Sequence, residues 1–196
     1  NGDNRRESRS VSNAEARKRR SLIKKPRVLL LGDIATDFTD VNSMFKKFNA
    51  TVETHNNSSV THVVVKNFAV ERSIELLEVL AKPHVRRSSK LGSGGSNSSF
   101  HVSSQGAGAY VVSEEWIDMC VSCGYSVDEA MFEPEDPTFE HCYGISIKEA
   151  LARRKGGGAL LQHFAVFVAQ GVSPARSKLR KCINDAGGQA LNSLPK

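Results

Sequence analysis

The stretch from Ala109 to Tyr125, AYVVSEEWIDMCVSCGY, constrains the fold more than any other part of the chain. Tyr110-Val111-Val112 is a β-branched and aromatic run suited to a buried strand. Ser113 stands where a helix N-cap is expected, with Glu114 and Glu115 in the positive first turn. Trp116, Ile117, Cys120 and Val121 then share one helical stripe, and Gly124 closes the helix. Trp116 is the chain's single tryptophan. A strand turning directly into a helix with one large inward aromatic predicts the closing unit of a small α/β domain. Trp116 is therefore assigned a structural role, and truncating such a buried side chain costs about 3–5 kcal/mol.

Upstream, Arg27 to Leu31 is a continuous apolar run of the kind found in an inner parallel strand, ended by Gly32-Asp33. Val41, Met44, Phe45 and Phe48 define an amphipathic helix, with Asp37 or Thr39 as its expected cap. Thr51 to Thr54 reads as a short edge strand, Asn56 to Ser59 as a turn, and Val60 to Val65 as the next strand. A second helix is expected over 70–80, with Ile74, Leu77 and Leu80 inward and Glu71, Glu75 and Glu78 outward. Ser88 to Gly108 is Gly/Ser-rich and is read as a flexible insertion. The order β-α-β-β-α-β-α predicts a mostly parallel four-stranded sheet covered on both faces.

Beyond the tryptophan helix, Glu133 to Glu140 reads as an acidic, Pro-containing linker. Ser146-Ile147-Lys148-Glu149 is a capping box that opens a helix over 146–154, stopped by Gly156-Gly157-Gly158. Phe164 to Val168 is then a strand, Leu179, Cys182 and Ile183 lie on a helix, and Gly187-Gly188 leads into another strand. This sequence of elements repeats the stretch from Leu29 to Glu53, with Phe45 to Val52 corresponding to Ile183 to Ala190. The expected organisation is a basic disordered tail (1–25), a first repeat (26–134, insertion 88–108), a linker (135–160) and a partial second repeat (161–196).

Charge is concentrated at one end. Residues 1–27 hold ten basic and three acidic side chains, a surplus larger than the whole chain's net charge of +6, so the rest is close to neutral. Arg17, Lys18, Arg19 and Arg20 form a candidate nuclear-import signal or nucleic-acid patch. No apolar run is long enough for a membrane span, and no signal peptide is read. The chain's four cysteines do not form a disulfide framework, which points to a reducing compartment.

Catalytic and metal chemistries find little support. Cys120 and Cys123 form a CxxC inside a helix, where the helix dipole does not lower a thiol pKa, and His141 and Cys142 are adjacent and diverge. No metal is expected, and the six histidines show no paired-ligand spacing. Phosphate loops, nucleophile elbows and paired carboxylates are absent from the sequence as well. The expectation is therefore a protein without enzymatic activity and without a cofactor.

The strand ending in Leu31-Gly32, the THVVV strand at 61–65 and the Trp116 helix together resemble one repeat of the BRCT family. The helix within YGISIKEALARRK (143–155), followed by a strand, a helix and Gly187-Gly188, resembles the tandem repeats of the checkpoint-mediator and PAX-interacting scaffold type. That resemblance implies a three-layer α/β fold and a nuclear protein-interaction module of the DNA-damage response, often binding phosphoserine peptides. It also implies a phosphate pocket made of a hydroxyl residue before the strand-end glycine, that glycine's N–H, and a Lys early in the second helix. An Arg three residues before the Lys binds the peptide backbone. In this chain Gly32 and Arg72 fit that pattern, and Ser73 stands where the family commonly has a small hydroxyl residue. Leu31 stands where the hydroxyl is expected, and Glu75 where the Lys is expected. The expected partner is a protein or phosphoprotein, with a weak DNA contact through the basic tail as a second reading. A fragment of a larger enzyme is a third.

Overall fold

The computed structural model describes residues 20–23, 25–34, 40–84 and 108–194. Arg17, Lys18 and Arg19, and the insertion up to residue 107, lie outside the described residues. The first unit is built on strands β1 (Arg27–Leu30), β2 (Thr51–Glu53), β3 (His62–Val65) and β4 (Tyr110–Ser113), all parallel in the order β2-β1-β3-β4. Helices α1 (Val41–Lys46), α2 (Ile74–Ala81) and α3 (Glu115–Cys123) connect or follow them. The three-layer α/β class expected from the sequence is the one observed.

Strand alternation sorts the side chains into two cores. Val28, Val64 and Val112 face α1 and α3, where they meet Phe45, Phe48, Trp116, Ile117 and Cys120. Leu29, Val63, Val65 and Val111 face the opposite way, against Leu76, Val79 and Leu80 of α2. Trp116 is fully buried; its indole N–H donates to the Val127 carbonyl at 3.1 Å, and Phe48 meets it edge-on at 5.7 Å.

Several local expectations are corrected. Ser113 is not a helix cap. It ends β4, fully buried, and its N–H donates to the Phe132 carbonyl; α3 starts at Glu115 without a side-chain cap. The cap of α1 is Asp40, whose carboxylate accepts from Ser43 N–H at 3.1 Å. Helix α2 starts only at Ile74, because Ser73 Oγ accepts from Leu76 N–H at 3.1 Å and fixes the start there. Its inward residues are Leu76, Val79 and Leu80, and Glu78 is buried where a later helix covers it.

The acidic linker also contains a helix that its composition hid. Asp136 caps α4 (Pro137–Tyr143) by accepting from Phe139 N–H at 2.9 Å, and Pro137 takes the first-turn position that needs no N–H. Helix α5 (Ile147–Lys155) follows, with Ser146 Oγ accepting from Glu149 N–H at 3.2 Å. Phe139, Ile147, Ala150 and Leu151 pack into the α2-side core. Residues 135–155 thus complete the third layer of the first sheet rather than swinging between units.

Arg154 closes this arrangement from within. Although buried, it donates to the Lys82 carbonyl at 2.9 Å and the Ala109 carbonyl at 2.6 Å, joining the two stems of the insertion. Burial, with Arg153 nearby, pushes its pKa down to about 10, so it stays charged at neutral pH.

A second, two-stranded parallel sheet pairs β5 (Ala165–Phe167) with β6 (Gln189–Leu191), linked by α6 (Arg176–Asp185). Its register reproduces β1-α1-β2. Val28 pairs with Val52 and Val166 with Ala190, in both cases 24 positions on. The helix exits match too: Ala50 N–H donates to the Phe45 carbonyl and Gly188 N–H to the Ile183 carbonyl, both at 2.9 Å. Asn49 and Gly187 occupy the same left-handed turn position, at φ 60° and 80°.

Candidate functional site

The sheet's carboxyl end, where β1 runs into Leu31-Gly32, is the place to look for a ligand, as in other open parallel sheets. The loop between β3 and α2 carries Glu71, Arg72 and Ser73 toward it. That loop is fastened by Asp136, whose second carboxylate oxygen accepts from Val70 N–H at 2.7 Å, and by Asn67, which accepts from Glu135 N–H at 3.0 Å. Phe68 N–H donates to the Glu135 carbonyl at 3.0 Å. The α4 capping residue therefore also sets the path of residues 67–72.

Gly32 has a φ of +73°, and a β-carbon there would lie 3.2 Å from the Glu71 carboxyl carbon and 3.3 Å from its Oε2. A carboxylate thus rests against the glycine that the sequence pattern assigns to phosphate. Leu31 is half-buried against the α2-side core and donates its N–H to the Val64 carbonyl at 3.0 Å. Its side chain brings no hydroxyl to the strand end. Arg72 points away along α4, with its guanidinium 5.2 Å from the Tyr143 ring centre. Ser73 spends its oxygen on the α2 cap.

Glu75 faces a different element. Its carboxylate lies 3.4 Å from Lys178 Nζ of α6, with both side chains partly exposed. One turn further, buried Glu78 meets Lys181 Nζ at 3.8 Å, accepts from Asn56 Nδ2 at 3.0 Å and from Cys182 Sγ at 3.3 Å. Burial, followed by the Glu78 contact, pushes the Cys182 thiol up to about 11. A cleft of about 470 Å³ lies between β1, the end of β2, α2 and α6, lined by Leu29 to Leu31, Thr54 to Asn56, Glu75, Glu78, Lys178 and Lys181. Leu31 and Glu75 line it; Gly32, Arg72 and Ser73 do not.

The sequence reading missed Glu71, Lys178 and Lys181. The two lysines had a signal: acids at 75 and 78 and bases at 178 and 181 share the spacing of three that places charges on one helical face. Glu71 had none, because its position depends on the loop anchored by Asp136.

Behind the sheet's α3 face lies a second polar cluster. His62 is fully buried, stacked on Trp116 at 4.4 Å, and its Nε2 lies 3.1 Å from Glu129 Oε1. Burial holds the His62 pKa below its ordinary value, so the neutral imidazole donates to the carboxylate. Burial alone would raise the Glu129 pKa, but the contacts from His62 and Ser21 outweigh it and hold the carboxyl below its usual range. The thiol of Cys120 is pushed up to about 12 by burial, and Val127 N–H donates to its sulfur at 3.3 Å, the contacts of a packing cysteine.

Arg20, the described member of the basic run, does not trail free. It pairs antiparallel with Val127 and places its guanidinium 4.3 Å from the Tyr125 ring centre. The expected tail boundary at residue 25 is therefore too late. Hydrogen bonds from Ser21 N–H to the Ser126 carbonyl and from Ser21 Oγ to Glu129 hold residues 20–21 on the fold.

No family model matches the chain. It is 28% identical over 86 residues to PAX-interacting protein 1 of Bos taurus, covering 44% of this chain and 9% of that protein. It is also 28% identical over 91 residues to mediator of DNA damage checkpoint protein 1 of Homo sapiens, covering 46% of this chain and 4% of that one. The chain thus spans less than a tenth of these relatives' length. Among solved structures it is similar to the BRCT5-BRCT6 domains of S. pombe Brc1, with a TM-score of 0.54 and 20% identity over 86% of this chain and 66% of that one.

Proposed function

Given a chain with the fold of the BRCT family, we propose that it is a non-enzymatic protein-interaction module of a nuclear DNA-damage-response or chromatin scaffold. Its phosphopeptide pocket is degraded. The relatives named for a DNA-damage checkpoint and for interaction with PAX support the scaffold role. The observation that carries the pocket reading is the pair of carboxylates: Glu71 against Gly32, and Glu75 turned to Lys178. A phosphate needs donors and positive charge. Each carboxylate within a few ångströms opposes it by on the order of a few kcal/mol at an effective dielectric near 20, before solvent screening. In this reading residues 26–134 form the first repeat, 135–160 the connection packed upon it, and 161–196 part of a second repeat.

Glu75 has been given to the contact between repeats. Its partner Lys178 would repel a lysine introduced at 75, and Glu71 would still face the phosphate, so a repaired pocket needs four changes: Leu31→Ser, Glu71→Gln, Glu75→Lys and Lys178→Ala. Calorimetry of wild type and this variant against a phosphoserine peptide mixture and its unphosphorylated counterpart tests this. We expect phosphate-dependent binding to increase in the variant. Wild-type binding that requires phosphate would overturn the degraded-pocket reading and support the phosphoserine-binding alternative.

A further inference from the structure

We propose that Ser21 is a phosphorylation site for a serine kinase that prefers basic residues ahead of its target, and that a phosphate there undocks the segment 20–23 from the fold. Two independent features meet at this residue. In the sequence, Arg17-Lys18-Arg19-Arg20 directly precedes it, the charge pattern by which a kinase with an acidic substrate groove selects a serine. In the fold, its hydroxyl is the outermost link of a polar chain that runs inward to the tryptophan core.

That chain is specific. Ser21 Oγ donates to Glu129 Oε1, the same oxygen that receives His62 Nε2–H at 3.1 Å, and His62 stacks on Trp116. Glu129 is 6% exposed and His62 0%, so this carboxylate has little access to water. Ser21 itself is half-buried, and the neighbouring Leu22 is 88% exposed. The segment is held by the Arg20–Val127 bridge, the Ser21 N–H to Ser126 bond at 2.9 Å, the Glu129 contact and the Arg20–Tyr125 stack. An attachment this small opens locally while the core stays closed, and that gives a kinase access to the hydroxyl.

The transfer is an ordinary phosphoryl transfer. Ser21 Oγ attacks the γ-phosphorus of ATP and loses its proton to the kinase's base; the bond to the β-phosphate oxygen breaks and ADP leaves. The ester oxygen can no longer donate. A group carrying about −1.5 to −2 charges then faces the Glu129 carboxylate, where a donor used to be. Redocking would bury two anionic groups against each other, so the segment stays off and Arg20 leaves Tyr125.

The test treats the full chain with ATP and such a kinase and locates phosphate by tandem mass spectrometry. Hydrogen exchange is then followed at the Ser21 amide, with fluorescence of Trp116 as a second readout. We expect phosphate at Ser21, lost in Ser21→Ala, and exchange at that amide faster by about tenfold or more. In Glu129→Gln, which removes the opposing charge, phosphate should accelerate exchange clearly less. An unmodified Ser21 under conditions that phosphorylate Ser88, which follows Arg86-Arg87, would overturn the site. Phosphorylated Ser21 with unchanged exchange, or equal acceleration in Glu129→Gln, would overturn the undocking.

Discussion

The β1-α1-β2 and β5-α6-β6 units share a register and a helix-exit hydrogen bond, yet they are buried to different degrees. In the first, Val28, Phe45 and Phe48 are all at or below 2% exposure, because β3 pairs with the other edge of β1 and α3 covers the face. In the second, Val166 and Phe167 are half-buried and Phe164 is 62% exposed. Register is thus a local property, set by turn geometry and helix exit, whereas burial depends on which other elements arrive. The second unit instead meets the first through α6, where Lys178 and Lys181 face Glu75 and Glu78.

The largest effect that sharpens this contrast is at the tryptophan. Trp116→Ala should destabilise the first unit by about 3–5 kcal/mol, read as a drop in thermal midpoint and a collapse of amide dispersion in residues 27–132. A variant of native stability would remove the distinction between the deeply buried first unit and the shallower second one. The matched pair Phe45→Ala and Ile183→Ala comes next. The first should cost about 3–5 kcal/mol, the second clearly less, since Ile183 packs in a shallower core. Equal losses by chemical denaturation would show that the second unit is as well covered as the first.

A smaller effect follows from His62. Its pKa is lowered in the folded state by burial, so the unfolded chain takes up the proton first as pH falls. The unfolded state then binds more protons, and stability declines as pH drops below about 6.5, flattening once the folded His62 also titrates. Thermal midpoints of wild type should fall between neutral and mildly acidic pH more steeply than those of His62→Asn. Parallel profiles would contradict the assignment.

The smallest expected effect is at the inter-unit charges. The double-mutant cycle of Glu75→Ala and Lys178→Ala should give a coupling of about 0.2–1 kcal/mol, reduced by salt, as for other partly exposed pairs. A coupling of several kcal/mol would mean the contact orders the two units far more strongly than its exposure suggests.

What the sequence revealed follows the same division between local and assembled properties. The runs at 27–31, 61–65 and 110–112 carry strand signals in their own side chains, and the stripe at Val41, Met44, Phe45 and Phe48 carries its helix. Helix α4 was hidden because Asp136-Pro137 reads equally as a linker or as a cap followed by a first-turn proline. Glu78 reads as outward from its spacing because only the arrival of α6 buries it. The site was the least legible part: Gly32, Arg72 and Ser73 are recognisable from order along the chain. That Glu71 rests on the glycine, Arg72 turns to Tyr143 and Ser73 caps α2 depends on a loop fastened from residue 136.

The central claim is that the strand-end glycine no longer receives a phosphate. The amide of Gly32 in a ¹⁵N-labelled full chain reports on it directly, titrated with a phosphoserine peptide mixture and, separately, with the unphosphorylated mixture. The account predicts that the Gly32 resonance responds alike to both. A saturable shift of that resonance with the phosphorylated peptides alone would contradict it.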